Sequence, residues 1–409
     1  MMRTLITLVV AIGLPACGGS APTDLGATET TTRRVVAQFS GYVDAQRGTL
    51  VLEPMPATSG NVGVSAAALS EVSVVQDGVA GSGPDDTVEL VTASTAIKSG
   101  ADGCGAFNAF TGLVTLRSFF AGARLENTYV ELTRVVPAGH EACNSAPVPP
   151  VGEVSDTYGL FAYGTIEAKG VAGDHQSREW KLRLPTSTNF GFVGRVMADV
   201  IATRSVTTAF GAGADTYAQG SVPTTNFGAS PLVTTRSTPG NASNTYKDYL
   251  RFDLSALRSQ VDLANARSAS LSFVVTGRSG VVTFGFYGLP DGLPADAAAG
   301  WSELGLTYSN APANVGKGTA DLTFFTAAPG DAQGNYVSSL GQLSVTNAAA
   351  GATLTFSSPA LLDLVRNDTN GLVTLALRRV DAAGIIHLYS KENTSGFTPP
   401  TLTIVGRQL

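Results

Sequence analysis

Residues that carry enzyme chemistry are scarce in this chain. Among 409 residues there are three histidines and three cysteines, and only 14% of residues are charged. No histidine accompanies a Gly-x-Ser-x-Gly motif, and no HExxH, Walker or dinucleotide-binding pattern occurs. The net charge is −6 and no run of Lys and Arg exceeds two, whereas nucleic-acid binding needs a concentrated positive face. We therefore predict no catalytic residues and no nucleic-acid partner.

Long apolar runs are also lacking beyond the N-terminus. The run from Thr4 to Leu14 follows Arg3 and is too short to span a bilayer as a mature helix. A positive start, a short apolar segment and a small residue before Cys17 are typical of a secretory signal. The sequence Leu-Pro-Ala-Cys that ends at Cys17 resembles the lipobox of bacterial lipoproteins. Residues 1–17 are thus predicted to be a lipoprotein-type signal peptide, with cleavage nearby but no lipid as the alternative.

The next segment, residues 18–34, is rich in Gly, Ser, Thr and Pro, and we predict a flexible tether because it cannot bury enough apolar surface to order itself. The protein is then expected to be secreted or extracellular. A lipid on Cys17 would hold it at the outer membrane or cell surface, and this anchor is the only membrane contact that we predict.

Two further cysteines, Cys104 and Cys143, remain in the mature chain. Two thiols in an oxidising compartment usually pair, so we predict a disulfide between the loop before Val114 and the loop after Val136. A metal pair is the competing interpretation, but no CxxC motif and no histidine cluster supports it. His140 is predicted to be a solvated loop residue.

Composition and periodicity favour an all-β fold. Glycine is abundant, at 46 residues, and the helix-favouring Lys and Glu are sparse. In residues 35–204, Trp180, Leu182 and Leu184 alternate with polar residues, as in a half-buried strand. We predict an N-terminal antiparallel β-sandwich here, of unknown role. Its acidic candidates for a site, which we expect to cap turns or face water, are Asp85, Asp86, Asp102, Glu126 and Glu131.

Residues 205–409 show the same strand pattern with one interruption. Leu250, Phe252 and Leu254 share one parity and Arg251 and Asp253 the other. A short helix is predicted after Ser358, which can cap its N-terminus, because Pro359 suits the first helical position. About eight strands and one short helix indicate a second antiparallel sandwich, of the jelly-roll type.

Several motifs of this second half follow one another in a characteristic order. It opens with Ala-Asp-Thr-Tyr ending at Tyr217 and closes with Tyr-Ser-Lys-Glu ending at Glu392. Between them lie Thr-Asn-Phe-Gly ending at Gly228, Tyr-Leu-Arg-Phe-Asp-Leu-Ser ending at Ser255, and Trp-Ser-Glu ending at Glu303. This order resembles the DNRLRE domain, also described as carbohydrate-binding module family 96, over roughly Thr207 to Leu409.

The resemblance implies a β-sandwich on a secreted or surface protein that binds glycans without cleaving them. Carried over by position, it implies nine ligand-binding residues: Asp215, Tyr217, Asn226, Arg251, Asp253, Trp301, Glu303, Lys391 and Glu392. Two positions depart from the family pattern, because Lys391 stands where Arg is usual and Tyr308 where Trp is usual. Lys keeps the charge but loses the planar two-pronged donor. The charged motif residues either bind ligand or hold strand ends together, and both interpretations stay open.

We therefore predict non-catalytic polysaccharide binding at the bacterial cell surface or in the extracellular space. One alternative is a structural or adhesive surface protein without a glycan site, and another is a polysaccharide lyase or hydrolase. No motif fixes the pair of carboxylates that a glycosidase uses. No cofactor is predicted; a structural Ca²⁺ is compatible with an extracellular sandwich, but no acidic loop has calcium-binding spacing.

Overall fold

The structure is a computed structural model, and it describes residues 34–55, 72–76, 88–100, 103–145, 158–237, 241–289, 291, 300–314, 338–380 and 385–409. The predicted signal peptide with Cys17, the tether up to residue 33, and the acids Asp85, Asp86 and Asp102 lie outside these ranges.

The described ranges are almost entirely β-structure, which confirms the all-β prediction. The strands are β1 (Arg34–Asp44), β2 (Thr49–Pro54), β3 (Val72–Gln76), β4 (Val88–Lys98), β5 (Asn108–Ser118), β6 (Ala123–Val136), β7 (Gly159–Ile166), β8 (His175–Leu184), β9 (Phe190–Thr207), β10 (Ala214–Gln219), β11 (Leu232–Arg236), β12 (Tyr246–Asp253), β13 (Ser268–Val274), β14 (Arg278–Leu289), β15 (Ser338–Ala348), β16 (Thr353–Ser357), β17 (Leu372–Arg379), β18 (Ile385–Tyr389) and β19 (Thr401–Arg407). The helix α1 (Pro359–Arg366) separates β16 from β17.

Three sheets hold these strands. An eight-stranded sheet runs β16-β13-β19-β9-β1-β2, with β6 pairing β9 and β7 pairing β6. A seven-stranded sheet runs β15-β14-β17-β12-β11-β18, with β10 on β12. The third sheet has four strands, in the order β3-β4-β5-β8. Its β3 and β4 pair in parallel, which is an exception to the antiparallel pairing that the sequence predicts.

The two predicted halves share a sheet through β9. The predicted boundary between residues 204 and 205 falls inside this strand, which pairs with β1 and β6 of the first half and with β19 of the second. The residues from Arg33 to Leu409 form one compact unit. A continuous core of buried apolar side chains runs through both halves, because an 18-residue strand contributes inward side chains to each.

Local sequence patterns place the core residues. Trp180 and Leu182 are fully buried, as their alternation predicts, and the Trp180 ring stacks on Phe161 at 4.5 Å. Its indole Nε1 donates to the Tyr163 hydroxyl at 3.0 Å, which satisfies the one polar atom of the ring. On β12, Leu250 and Phe252 are buried in the same core.

The predicted short helix is present as α1. Ser358 is its N-cap and accepts a hydrogen bond from the Leu361 amide, and Pro359 occupies the first helical position. Such a cap stabilises a protein by about 1 kcal/mol. Leu361 and Val365 bury the apolar stripe of the helix. No helix in the described ranges is long and apolar enough to cross a membrane.

The disulfide between Cys104 and Cys143 is present, with their Cα atoms 5.7 Å apart. It joins the segment before β5 to the segment after β6, as predicted. The prediction for His140 was wrong. Its ring is buried, stacks on Phe190 with centroids 4.5 Å apart, and places Nδ1 3.0 Å from the Pro137 carbonyl oxygen. The aromatic neighbour comes from β9, which sequence spacing does not reveal.

Candidate functional site

The motif residues gather around β10, which pairs only with β12 in the described part of the chain. Strand alternation sends Leu250 and Phe252 of β12 into the main core and Arg251 to the opposite face. On that face lies a second, smaller apolar cluster that includes Tyr249 and Trp301. The site is therefore built where this second cluster meets the free edge of β10.

Trp301 covers Arg251 and is itself packed. Its side chain is 9% exposed and its ring lies 6.1 Å from that of Tyr249. Its Nε1 donates to Thr374 Oγ1 at 3.3 Å. The Arg251 guanidinium lies 4.7 Å from the Trp301 ring centroid and donates to the Trp301 carbonyl oxygen at 2.7 Å. Arg251 Nε also donates to Ala212 O at 2.8 Å, so at least two of its N–H donors act within the fold.

Glu303 closes the unpaired edge of β10. Its Oε1 accepts a hydrogen bond of 2.8 Å from the Asp215 amide, which β12 leaves unpaired. Its Oε2 lies 2.7 Å from Lys391 Nζ. An unpaired strand edge is a template for aggregation, and a charged side chain placed there prevents further strand addition. Glu303 thus links three separate segments of the chain.

Asn226 holds the backbone that carries Glu303. Its Nδ2 donates to the carbonyl oxygens of Glu303 and Leu306, at 2.6 and 2.7 Å, and its Oδ1 accepts from the Gly228 amide at 3.0 Å. A Cβ on Gly228 would lie 2.4 Å from Glu303 O, so only glycine fits. The Asn-aromatic-Gly motif is therefore a structural clamp.

Asp215 is buried behind this edge. It is 1% exposed, and its Oδ2 accepts from Thr208 Oγ1 at 2.5 Å and from the Lys391 amide at 3.0 Å. Burial, and then the Glu392 and Glu303 carboxylates, raises the pKa of Asp215 to about 7. Burial and the nearby Glu303 charge also raise the pKa of Glu392. The three carboxylates are thus close enough for the charge of one to raise the pKa of another.

Two other predicted residues lie apart from this cluster. Asp253 accepts hydrogen bonds from the amides of Ala212 and Ser255, at 2.8 and 2.9 Å, and so fixes the turn before β10. Tyr217 is half-buried and stacks on Phe227 at 4.3 Å. Neither lines the cleft described next.

An open cleft of about 510 Å³ lies beside the cluster. Four predicted residues line it, namely Arg251, Trp301, Glu303 and Lys391. The other lining residues are Gly211, Ala212, Gly213, Ala214, Ser302, Leu304 and Leu372. The cleft therefore brings four of the nine predicted residues together, and the remaining predicted residues lie outside it.

Two exposed apolar residues, one in the wall of this cleft and one in the turn next to it, escaped the sequence analysis. Leu304 is 69% exposed in its wall, and Phe210 is 42% exposed in the turn that also supplies the lining residue Gly211. The signal for Phe210 was an aromatic residue among small turn residues just before the Asp215 motif. It was overlooked because it belongs to none of the family motifs.

The two residues that depart from the family pattern, Lys391 and Tyr308, both make contacts within the fold. Lys391 pairs with Glu303 and also donates to Gly213 O at 3.1 Å. Tyr308 is buried in the second cluster, with Lys247 Nζ 4.9 Å from its ring centroid. For Lys391, the pairing with an internal acid favours a role in holding the fold.

The acidic candidates of the N-terminal half are also paired. Glu131 lies 2.6 Å from Arg195 Nε. Glu126 lies 2.7 Å from Arg124 and also contacts Arg267, which belongs to the second half of the chain. The expectation that these acids cap turns or face water was wrong for Glu131, which is buried in β6, because its charge is paired with a cation on the neighbouring strand.

Comparison with known proteins assigns a family to part of this region. Residues 206–329 match the family model of carbohydrate-binding module family 96. The matched residues include every predicted site residue from Asp215 to Glu303, whereas Lys391 and Glu392 lie beyond them. No curated protein sequence matches the chain. The family match supports carbohydrate as the class of ligand for the matched residues.

Solved structures give only weak similarity. The chain is similar to BuGH86 in complex with neoagarooctaose, at 8% identity and a TM-score of 0.18, over 73% of this chain and 34% of that one. It is similar to BpGH86A, a β-porphyranase of glycoside hydrolase family 86 from the human gut bacterium Bacteroides plebeius, at 9% identity and a TM-score of 0.18, over 74% and 37%. The chain thus spans about a third of these proteins, and such low scores carry no inference about function.

Proposed function

We propose that the protein binds polysaccharide, without cleaving it, in the cleft beside β10. The match of residues 206–329 to a carbohydrate-binding family carries this proposal. It includes nearly all of the residues that line the cleft, from Gly211 to Leu304.

The cleft offers the chemistry that sugar recognition needs. Pyranose rings present apolar faces that pack on aromatic and aliphatic side chains, and hydroxyls that bond to polar groups. Leu304 supplies exposed apolar surface in the cleft wall, Phe210 supplies more in the turn next to the lining residue Gly211, and Ser302 adds an exposed hydroxyl. The rigid backbone beneath them, clamped by Glu303 and Asn226, reduces the entropy that binding would cost.

The arrangement of acids supports binding rather than hydrolysis. Glycosidases place two carboxyl groups about 5–9.5 Å apart on either side of the scissile bond. Glu303 is the single carboxylate among the described residues that line the cleft, and it is paired with Lys391 at 2.7 Å. Asp215 is buried and Glu392 lies outside the lining.

We further propose that the protein acts outside the cytoplasm, anchored through a lipid on Cys17. The disulfide between Cys104 and Cys143 supports an oxidising compartment. The signal-like residues 1–17 and the tether after them support a surface location.

Affinity electrophoresis of the full chain through gels containing neutral, uronic-acid or sulfated polysaccharides tests the binding proposal. Trp301→Ala is a poor test because the ring is packed and its loss would damage the fold. We expect Phe210→Ala to weaken retardation about ten-fold, which corresponds to about 1.4 kcal/mol, because an exposed stacking surface is lost.

Phe107→Ala is the matched control, since Phe107 is a 36% exposed aromatic residue of the other half. It should leave retardation unchanged. If no polysaccharide retards the folded wild-type chain, the binding proposal is wrong and the structural or adhesive role becomes the better account. If both variants weaken retardation equally, the cleft is not the binding site.

A further inference from the structure

We propose that Asp215, Glu303 and Glu392 bind one hard divalent cation of the calcium class. One carboxylate oxygen from each residue lies within 4.8 Å of the other two. Ca²⁺–oxygen distances are about 2.4 Å, so ligand oxygens on opposite sides of one ion lie up to about 4.8 Å apart. A single ion can therefore contact all three carboxylates.

Buried oxygen atoms without partners point to a missing ligand. Asp215 is 1% exposed, and its Oδ1 has no hydrogen-bond partner in the described part of the chain. Its Oδ2 is already satisfied by Thr208 and the Lys391 amide. Glu392 Oε2 is a second buried oxygen without a partner among the described residues. A bound cation would satisfy both oxygens, which neutral neighbours leave unpaired.

The local charge also favours a divalent ion. Three carboxylates meet beside β10, from Asp215, Glu303 and Glu392, and the Lys391 ammonium lies within 4.0 Å of two of them. With all of these groups ionised, two negative charges remain uncompensated. One divalent cation would balance them.

Lys391 competes with the proposed ion. Its Nζ lies 2.7 Å from Glu303 Oε2 and 4.0 Å from Glu392 Oε1, so the ammonium shares two of the three carboxylates. The ion must move it aside, which places the expected affinity in the range of about 0.1–1 mM found for extracellular calcium modules. Removal of the ammonium should then tighten cation binding, whereas a simple network of ion pairs would only lose stability.

The experiment uses the full chain, freed of metal by a chelator, at about pH 8 because burial and the nearby acids raise the pKa of Asp215 to about 7. Calorimetric titration with Ca²⁺, thermal unfolding with and without Ca²⁺, and luminescence of Tb³⁺ are the readouts. The variants are Glu392→Gln and Lys391→Met, and the control is Glu179→Gln, a half-exposed acid on β8.

We expect Ca²⁺ to raise the unfolding midpoint of the wild type and of Glu179→Gln. Glu392→Gln should weaken binding about ten-fold, because affinity depends on the number of charged ligands, and Lys391→Met should strengthen it. If the folded wild type binds neither Ca²⁺ nor Tb³⁺ at ~10 mM, above the usual extracellular range, the inference is overturned. It is also overturned if Lys391→Met, still folded, weakens binding, or if Glu179→Gln loses as much affinity as Glu392→Gln.

Discussion

At the scale of single residues, β12 carries two buried charged groups on opposite faces. Lys247 is fully buried and donates to Asn314 Oδ1 at 2.6 Å, on the side of the second apolar cluster. Asp248 is fully buried on the side of the main core, where the Thr235 hydroxyl donates to its Oδ2. Burial raises the pKa of Asp248 well above its ordinary range. Burial therefore favours the neutral form of the Asp248 carboxyl, and ionising it at higher pH costs stability.

Asp248→Asn tests this cost, because asparagine has the shape of a protonated aspartic acid. In the wild type the unfolded chain loses the Asp248 proton near pH 4, while the folded chain retains it to higher pH. The unfolded state then binds fewer protons, so the free energy of unfolding falls as pH rises from about 4 to about 7. We expect a shallower fall in Asp248→Asn, measured by urea unfolding across this range. Equal slopes for the two proteins would contradict the assignment.

At the scale of elements, β9 is the strand on which the two halves depend. It pairs with β1 and β6 along its first part and with β19 from Ile201 to Thr207. Val196 and Val206 both contribute to the continuous core. A cut at the predicted boundary would remove the end of β9 from one fragment and, in the other, leave β19 with three of its seven residue pairs to β9 beside its pairing with β13.

We therefore expect residues 34–204 and 205–409, produced separately, to lack cooperative unfolding. Thermal unfolding followed by circular dichroism would measure this, with the uncut chain as the reference. The physical reason is the loss of pairing along β9 and of the core side chains that it contributes. Co-expression of the two fragments should restore a cooperative transition. A cooperative transition in residues 205–409 alone, at the midpoint of the full chain, would show that the halves are independent.

At the scale of the whole molecule, the order of the proposed anchor, the disulfide and the motif cluster along the chain bears on where the protein is located. The disulfide lies between the segments that flank β5 and β6, and the motif cluster surrounds β10 in the other half. The proposed anchor precedes both, at Cys17, with residues 18–34 as a spacer. In the proposed function, these residues would link the lipid to the folded part of the chain.

Metabolic labelling with a clickable fatty acid tests the anchor. We expect the wild type to incorporate the label and to fractionate with membranes, and Cys17→Ser to do neither, because the thiol is the acceptor of the lipid. Cys104→Ser keeps Cys17 and serves as the control for loss of a cysteine. An unlabelled but exported wild type would favour the ordinary signal peptide instead.

Prediction from sequence succeeded where the information was local. The alternation around Trp180 and Leu250 identified buried faces, and Ser358 with Pro359 located α1, because strand period and helix capping depend on neighbouring residues. For the candidate site, the fold brings Arg251, Trp301, Glu303 and Lys391 of the motifs to one cleft, and their role in ligand binding stays a prediction. The roles of these residues could not be decided from the sequence, because the same residue types can either hold the backbone in place or bind a ligand.

The sequence by itself determined the all-β class, the helix and the pairing of Cys104 with Cys143. These follow from short-range patterns and from the reactivity of two thiols in one chain. Only the tertiary structure decided that β9 joins both halves, that Asp215 is buried beside Glu392, and that Leu304 is exposed in the wall of an open cleft. Burial and exposure depend on which distant strands pair, and that choice is made by the whole core rather than by neighbouring residues.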